Sequence, residues 1–489
     1  MNSDTAELAL APAASERTSP LVPSRLRGAG RLQRLPRAWS ALRADAARVA
    51  AVRDSARALL ASRLLVWAAG SGAVAAFGFG PARHVLNPPH TTRGFGWLGD
   101  LLAAPAARWD ASWYLVIAKY GYRPDLGAFT SPRAAFFPAY PLGSRALASF
   151  GVPAVLAGTL LSLAALALAL YALHRLTTLE FARIGALARS SGRRVATARV
   201  GGRAEPAEVA RLAVLVTAFA PMAFFLSAVY SESLYLALSV GCFWAARHGR
   251  FAIVGALGAL AAATRSAGVL LLLPALVLYL YGPREDRAPD AIDARGMRPR
   301  YRLRADALWL LLIPAGVGAF MLYLGLAGGD PLAPFAAQDV WGRHFAGPFL
   351  ATWDGLRAAF EGARQLLSFQ AHHLYFHDTV GSPTIAAEHN LLLLGFLLAA
   401  GPAVVGVFRR LPLAYGLYVL AALALPLSDP VSSQPLMSLP RFLLVLFPLS
   451  MWYGAWLAEH PRAQRPALAA SALLLALFAA QFATWHWVA

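Results

Sequence analysis

Asp110 lies in the run Arg108-Trp109-Asp110-Ala111-Ser112-Trp113-Tyr114, followed shortly by Tyr120 and Tyr122. A carboxylate held near an acceptor, with its pKa kept in a working range by partial burial, can take the proton of a sugar hydroxyl. The surrounding indole and phenol rings suit the faces of a sugar. An interfacial aromatic belt with one stray charge reads the same residues without chemistry. Glu232, in Ser231-Glu232-Ser233, either contacts a substrate or forms the acidic first turn of a capped helix. Arg265 and Arg441 stand at the ends of apolar segments. Cations at membrane depth are costly and usually face a cavity. A phosphate group would explain either one, and so would snorkelling to lipid headgroups. Trp341, Arg343 and His344 form another aromatic and cationic group. His373 and His377 would share a helix face, with His372 and Asp378 beside them. No further ligand set converges on them, and an amphipathic interfacial helix accounts for them, so no metal site is assigned. No glycine-rich nucleotide fingerprint lies between a strand and a helix, so a cytosolic nucleotide sugar is not the expected donor.

The elements that must position these residues are membrane spans. The chain has 489 residues, of which 58% are hydrophobic and only 14% charged, with mean hydropathy +0.52. Soluble domains carry about 25% charged residues. The net charge of +19 lies mostly in short loops and an N-terminal arm, the positive-inside pattern. A nucleic-acid ligand would need a folded basic face instead, and none is expected. The lone cysteine, Cys242, excludes an intrachain disulfide and a cysteine-based metal site.

Residues 1–57 read as a basic cytoplasmic arm, disordered or amphipathic, with Arg25, Arg27, Arg31, Arg34 and Arg37, and residues 58–489 as a membrane domain. Spans of about 20 apolar residues are expected at 58–80, 152–176, 209–229, 233–246, in two short halves of 251–282, and at 307–327, 389–408, 411–427, 442–458 and 466–487. Pro138 and Pro141 break the segment 134–150 into a re-entrant or interfacial element. Every strongly basic loop, including 179–211 and the one carrying Arg284 to Arg304, then falls on the cytoplasmic side with the N-terminus. The loops 81–133 and 328–388, the segment 428–441 and the turns at Glu232 and Arg265 fall outside. The expectation is an all-α polytopic protein of the cell membrane with about eleven spans, one partial element and two large outer-face loops.

Several stretches resemble a known family. Trp109-Asp110, Ile117-Ala118, Gly121-Tyr122 and Phe136-Phe137-Pro138 with Tyr140-Pro141 look like the first-loop signature of the PIG-V mannosyltransferases. These are the second mannosyltransferases of GPI-anchor assembly and their bacterial relatives, glycosyltransferase family 76 of the GT-C superfamily. Tyr230-Ser231-Glu232-Ser233-Leu234 resembles a second signature, and Arg265-Ser266-Ala267-Gly268 and Pro440-Arg441 are similar to weaker ones. The ordered match runs over about 108–268, with a thinner tail to 441. The resemblance implies a GT-C-like fold. It also implies inverting transfer of a sugar, usually mannose, from a polyprenyl-phosphate donor at the outer face, with Asp110 as general base. The acceptor would be lipid-linked or a protein, and the partners membrane lipid and the carrier-linked sugar. Trp109, Tyr114, Tyr122, Tyr230, Glu232, Arg265, Arg343 and Arg441 would bind substrate. The leaving group is a phosphate monoester that cations can stabilise, so neither a cofactor nor a divalent metal is expected.

Two readings of other classes stand beside this one. A flippase or transporter of lipid-linked sugars would show paired repeats and broken helices meeting at the midplane. No second copy of the Asp110 stretch is present, and the polar residues gather on one side. A non-catalytic membrane scaffold would depend on the arm rather than on Asp110.

Overall fold

The computed structural model describes residues 45–80, 87–88, 91–122, 132–190, 204–290, 298–377, 379 and 381–488. The arginines expected in the arm, Arg193, Arg194, Arg199 and Arg203 of the 179–211 loop, and Asp378 lie outside these residues. The chain divides into residues 1–49 and 50–489. In the first unit, the Asp45 carboxylate accepts the N–H groups of Ala47 and Arg48 at 3.1 and 3.2 Å, satisfying two orphan donors of the first turn.

The described residues are helical, with no strand among them beyond an isolated bridge between Arg343 and Val431. In order the α-helices of six residues or more are α1 Ala46–Phe77, α2 Gly96–Ala103, α3 Ala111–Tyr120, α4 Ala139–Ala148, α5 Ala154–Ser190, α6 Pro206–Ala218, α7 Glu232–Arg247, α8 Phe251–Ala262, α9 Leu272–Tyr281, α10 Leu312–Leu326, α11 Leu350–Leu367, α12 Pro383–Arg410, α13 Leu413–Ser428, α14 Leu439–Leu444, α15 Phe447–Glu459 and α16 Pro461–Ala483. Among the described residues, five segments are long and apolar enough to cross a membrane: Ala46–Phe77, Ala154–Gly185, Ala305–Leu326, Pro383–Arg410 and Pro461–Ala483. Apolar side chains such as Leu64, Leu168, Leu322, Leu398 and Leu473 point outward, as lipid-facing helices require. The chain is a multi-pass membrane protein.

Helix α5 packs on α6 and α7, α6 on α15, and α8 on α7 and α10. α6 and α15 approach closely at Gly454, where a Cβ would come 2.6 Å from the Ala213 nitrogen and 2.7 Å from the Val209 oxygen. Small residues at such crossings let two backbones touch.

Several boundaries differ from the sequence expectation, among them the second span, expected to end at 176 before the loop 179–211, whose helix α5 runs on to Ser190. Helix α1 begins before residue 58, because Ala51, Ser55, Ala58 and Ser62 form a buried stripe at helical spacing while Arg53 and Arg57 point outward. The expected span 209–229 is helical only to Ala218, about 20 Å of helix from its thirteen residues. Beyond it Pro221 interrupts the ladder, and the freed backbone groups are met by buried Arg63. That guanidinium donates to the carbonyls of Ala218 and Ala223 and to the Ser227 hydroxyl at 3.0, 2.6 and 2.7 Å. Irregular backbone at membrane depth survives only with such internal partners. Pro141 does not break α4: it lies in the first turn, where its missing N–H would have had no partner. His373 and His377 lie on a non-helical stretch after α11, with ring centroids 6.5 Å apart, so they share no helix face.

Candidate active site

Asp110 occupies the N-cap position of α3, yet its carboxylate makes no capping hydrogen bond. It faces α14 instead, where Arg441 Nη1 donates to Asp110 Oδ2 at 2.9 Å. Arg441 Nε lies 2.9 Å from Glu232 Oε1 at the start of α7, and Arg265 Nη1 lies 2.8 Å from the same oxygen. Segments distant in sequence thus meet in one chain of alternating charges. The Glu232 side chain is 0% exposed and that of Asp110 is 20% exposed. Glu232 is therefore a desolvated carboxylate balanced by two guanidiniums, while Asp110 can be reached.

Tyrosines hold the backbone of this cluster. The Tyr230 hydroxyl accepts the Asp110 N–H and donates to the Arg108 carbonyl, both at 3.0 Å. This ties the loop before α3 to the loop before α7. Tyr114 and Ser231 share a hydrogen bond of 2.9 Å between their hydroxyls. Ser231 stands at the N-cap of α7 without a side-chain cap bond, so its hydroxyl joins the site rather than closing its own helix. Burial, reinforced by Glu232, pushes the Tyr114 phenol up to about 12, so it remains a donor at neutral pH. Ser233 donates to the Leu226 carbonyl, closing the irregular turn that Arg63 supports.

The cations are braced by rings. The Arg441 guanidinium lies over Phe225 and Tyr230, with its carbon 5.4 and 5.5 Å from their centroids. Arg265 and Arg343 both lie against Phe442, at 5.5 and 5.8 Å. Arg343 donates to the carbonyls of Asp429 and Met437 at 3.1 and 3.0 Å. Burial, with the charge of Arg441 adding to it, lowers its pKa to about 10. Asp110 and Glu232 balance Arg265 and Arg441 in charge, and Arg343 adds a further cation beside them. Such guanidiniums can stabilise charge developing on a phosphate.

Of the residues singled out in the sequence, the structure brings together Trp109, Asp110, Tyr114, Tyr230, Glu232, Arg265 and Arg441, with Arg343 beside them through Phe442. Tyr122 lies off this cluster: its hydroxyl donates to the Phe136 carbonyl and its ring packs on Phe320 and Tyr323. Trp341 packs edge-on to Phe136, and His344 is exposed. Among the described residues no group of three or more His, Cys, Asp or Glu side chains could hold a metal. Phe442 and the C-terminal Trp485 and Trp487 went unnoticed in the sequence. Trp485 and Trp487 fall inside the expected last span 466–487, whereas the helix ends at Ala483.

The comparisons with known proteins bear on this geometry. The family profile described as mannosyltransferase (PIG-V) matches residues 89–277. No curated protein matches the chain. Among solved structures, an oligosaccharyltransferase of Archaeoglobus fulgidus, crystallised with a disulfide-tethered acceptor peptide containing the NVT sequon, is similar at 14% identity and a TM-score of 0.37. The similarity covers 88% of this chain and 54% of that one, so this chain spans about half the length of that structure. Over residues 89–277, which hold Asp110, Glu232 and Arg265, the chain matches the PIG-V mannosyltransferase family.

Proposed function

We propose that this protein transfers mannose from a polyprenyl-phosphate carrier to a hydroxyl of a lipid-linked or protein acceptor, with inversion at the anomeric carbon. The observation that carries this reading is the accessible Asp110 carboxylate, held through Arg441 to a buried Glu232 and flanked by further cations. The acceptor oxygen forms its bond to the anomeric carbon as the bond from that carbon to the phosphate oxygen breaks. The hydroxyl proton passes to Asp110, and the carrier leaves as a phosphate monoester. Arg441 aims the carboxylate through its 2.9 Å hydrogen bond to Oδ2. Arg265 and Arg343, fixed by Phe442, supply positive charge for the departing phosphate at no cost of reorganisation. The PIG-V match supports mannose as the sugar. The Arg-rich loops support an extracytoplasmic site with the N-terminus in the cytoplasm.

The test is transfer of radiolabelled mannose from polyprenyl-phosphate mannose to glycolipid by purified protein in liposomes. Asp110→Asn is expected to lower kcat at least about 100-fold with an unchanged melting temperature. Near-wild-type turnover by that variant would refute the base assignment. Passage of the lipid-linked sugar across the bilayer without covalent transfer would favour a flippase.

A further inference from the structure

The last residues of the described chain fold back onto Trp109, the chain neighbour of Asp110. After α16 ends at Ala483, residues 484–488 leave the helix. Their path is pinned at both ends. Buried Arg108 donates through Nε to the Ala483 carbonyl at 2.9 Å, and His389 Nε2 lies 3.2 Å from the Trp487 carbonyl. A Cβ at Gly80, itself at φ +68, would overlap the Thr484 carbonyl, so glycine lets the tail come close. The result is a cluster of three tryptophans. Trp109 meets Trp485 and Trp487 edge to face, with centroids 5.7 and 5.2 Å apart.

Three independent features mark this cluster as more than packing. First, the indole N–H groups of Trp109 and Trp485 are buried and have no hydrogen-bond partner among the described residues. Trp485 is only 5% exposed. A buried indole N–H normally finds a partner, and an orphan asks for one from outside the chain. Second, Trp109 and Trp485 both adopt left-handed backbone conformations, φ 55 and 62. Bulky residues rarely tolerate this, and such strain gathers at binding sites. Third, Trp109 and Trp487 are only partly buried and Trp109 is the chain neighbour of the accessible carboxylate. A hexose has apolar C–H faces and a rim of hydroxyls, so it can lie on an indole face and satisfy N–H donors with its oxygens.

Resting on the mannosyl-transfer reading, we propose that Trp109, Trp485 and Trp487 form the subsite for the sugar ring of a glycosylated acceptor. Arg441 holds the Asp110 carboxylate within the ion-pair chain to Glu232 and Arg265, and Trp109, next to Asp110 in the chain, carries the tryptophan cluster, where Arg108 lies over the Trp485 ring at 5.2 Å. The arginines suit the phosphate of the donor. Trp109 adjoins the base in the chain, and the ring that bears the attacking hydroxyl must sit near that base.

The test uses the full-length protein in liposomes with octyl α-mannoside as the acceptor probe. Binding is read by saturation-transfer NMR, and transfer from polyprenyl-phosphate mannose is read against acceptor and donor concentration separately. Trp487→Ala is expected to raise both the probe Kd and the acceptor KM about tenfold, with the donor KM unchanged. Trp487→Phe, which retains a ring and guards against misfolding, is expected to stay within about threefold. Trp485→Phe, which removes one N–H and keeps a ring, is expected to weaken the probe by about three- to tenfold. Unchanged acceptor KM and probe Kd in Trp487→Ala would overturn the subsite, as would an effect confined to the donor KM. Probe binding that depends on Trp487 in a protein that transfers no mannose would keep the subsite and reject the mannosyl-transfer reading.

Discussion

Arg441 Nη1 lies 2.9 Å from Asp110 Oδ2 although 331 residues separate them in the chain. The same side chain reaches Glu232 through Nε at 2.9 Å. One guanidinium thus joins the accessible carboxylate to the buried one, and its removal has unequal consequences for the two. Arg441→Gln leaves Glu232 with Arg265 as its remaining cation. A loss of about 2–4 kcal/mol is expected, because breaking a buried pair strands the other charge. Adding Asp110→Asn removes the charge that loses its guanidinium and is expected to recover about 1 kcal/mol, because that carboxylate is partly exposed. Melting curves of the single and double variants in detergent test this coupling, and strict additivity would contradict it.

Tyr230 makes a sharper probe of geometry. Its hydroxyl accepts from Asp110 and donates to Arg108 in a fully buried setting. Tyr230→Phe deletes one oxygen and leaves two backbone groups without it. The expected cost is about 1–3 kcal/mol. Because the lost bond orients the Asp110 backbone, kcat should fall by more than the donor KM rises. Steady-state kinetics beside a melting curve separate the two effects.

Gly454 tests the crossing of α6 and α15. The space for a side chain is taken by backbone atoms of Val209 and Ala213, which cannot rotate away. Gly454→Ala is expected to destabilise by about 1–3 kcal/mol and Gly454→Val by more. Equal stability of all three forms by thermal unfolding would mean that the helices separate freely here.

Asp286 sits in the loop after α9. The Arg284 guanidinium donates to both its oxygens at 2.9 and 2.7 Å and holds its pKa below the usual carboxylate range. A carboxylate whose folded pKa is depressed stabilises the fold above its unfolded pKa. That contribution is lost as pH falls from the ordinary carboxylate range through the lower folded value. The carboxylate is partly exposed, so solvent screens the effect. The acid limb of the stability curve should be shallower in Asp286→Asn than in wild type, measured by urea unfolding from pH 7 downward.

Much of the fold was legible because its signals are local. A run such as 389–408 is apolar over the thickness of a bilayer, and Arg409 and Arg410 end it. The charged and aromatic stretch at 108–122 likewise stood out against apolar surroundings. Local signals failed where a distant side chain decides the backbone. Pro221 marks locally that the helical ladder is interrupted after α6, but the partner that makes the irregular continuation affordable is Arg63 on α1, which no local signal shows. His373 and His377 had helical spacing, but the stretch is shaped by Gln365, whose side chain bonds the backbone of Gln370, His372, Leu374 and Tyr375.

The sequence by itself determined that the chain crosses a membrane, roughly where it does so, and which carboxylates and arginines stand at the ends of the apolar segments. Those properties follow from residue type and spacing along a single segment. The tertiary structure alone decided that Asp110 is accessible while Glu232 is sealed, that Arg441 serves both, and that Trp485 and Trp487 return to Trp109. Burial and ion pairing depend on which helices pack together, and contacts across hundreds of residues leave no periodicity in the sequence.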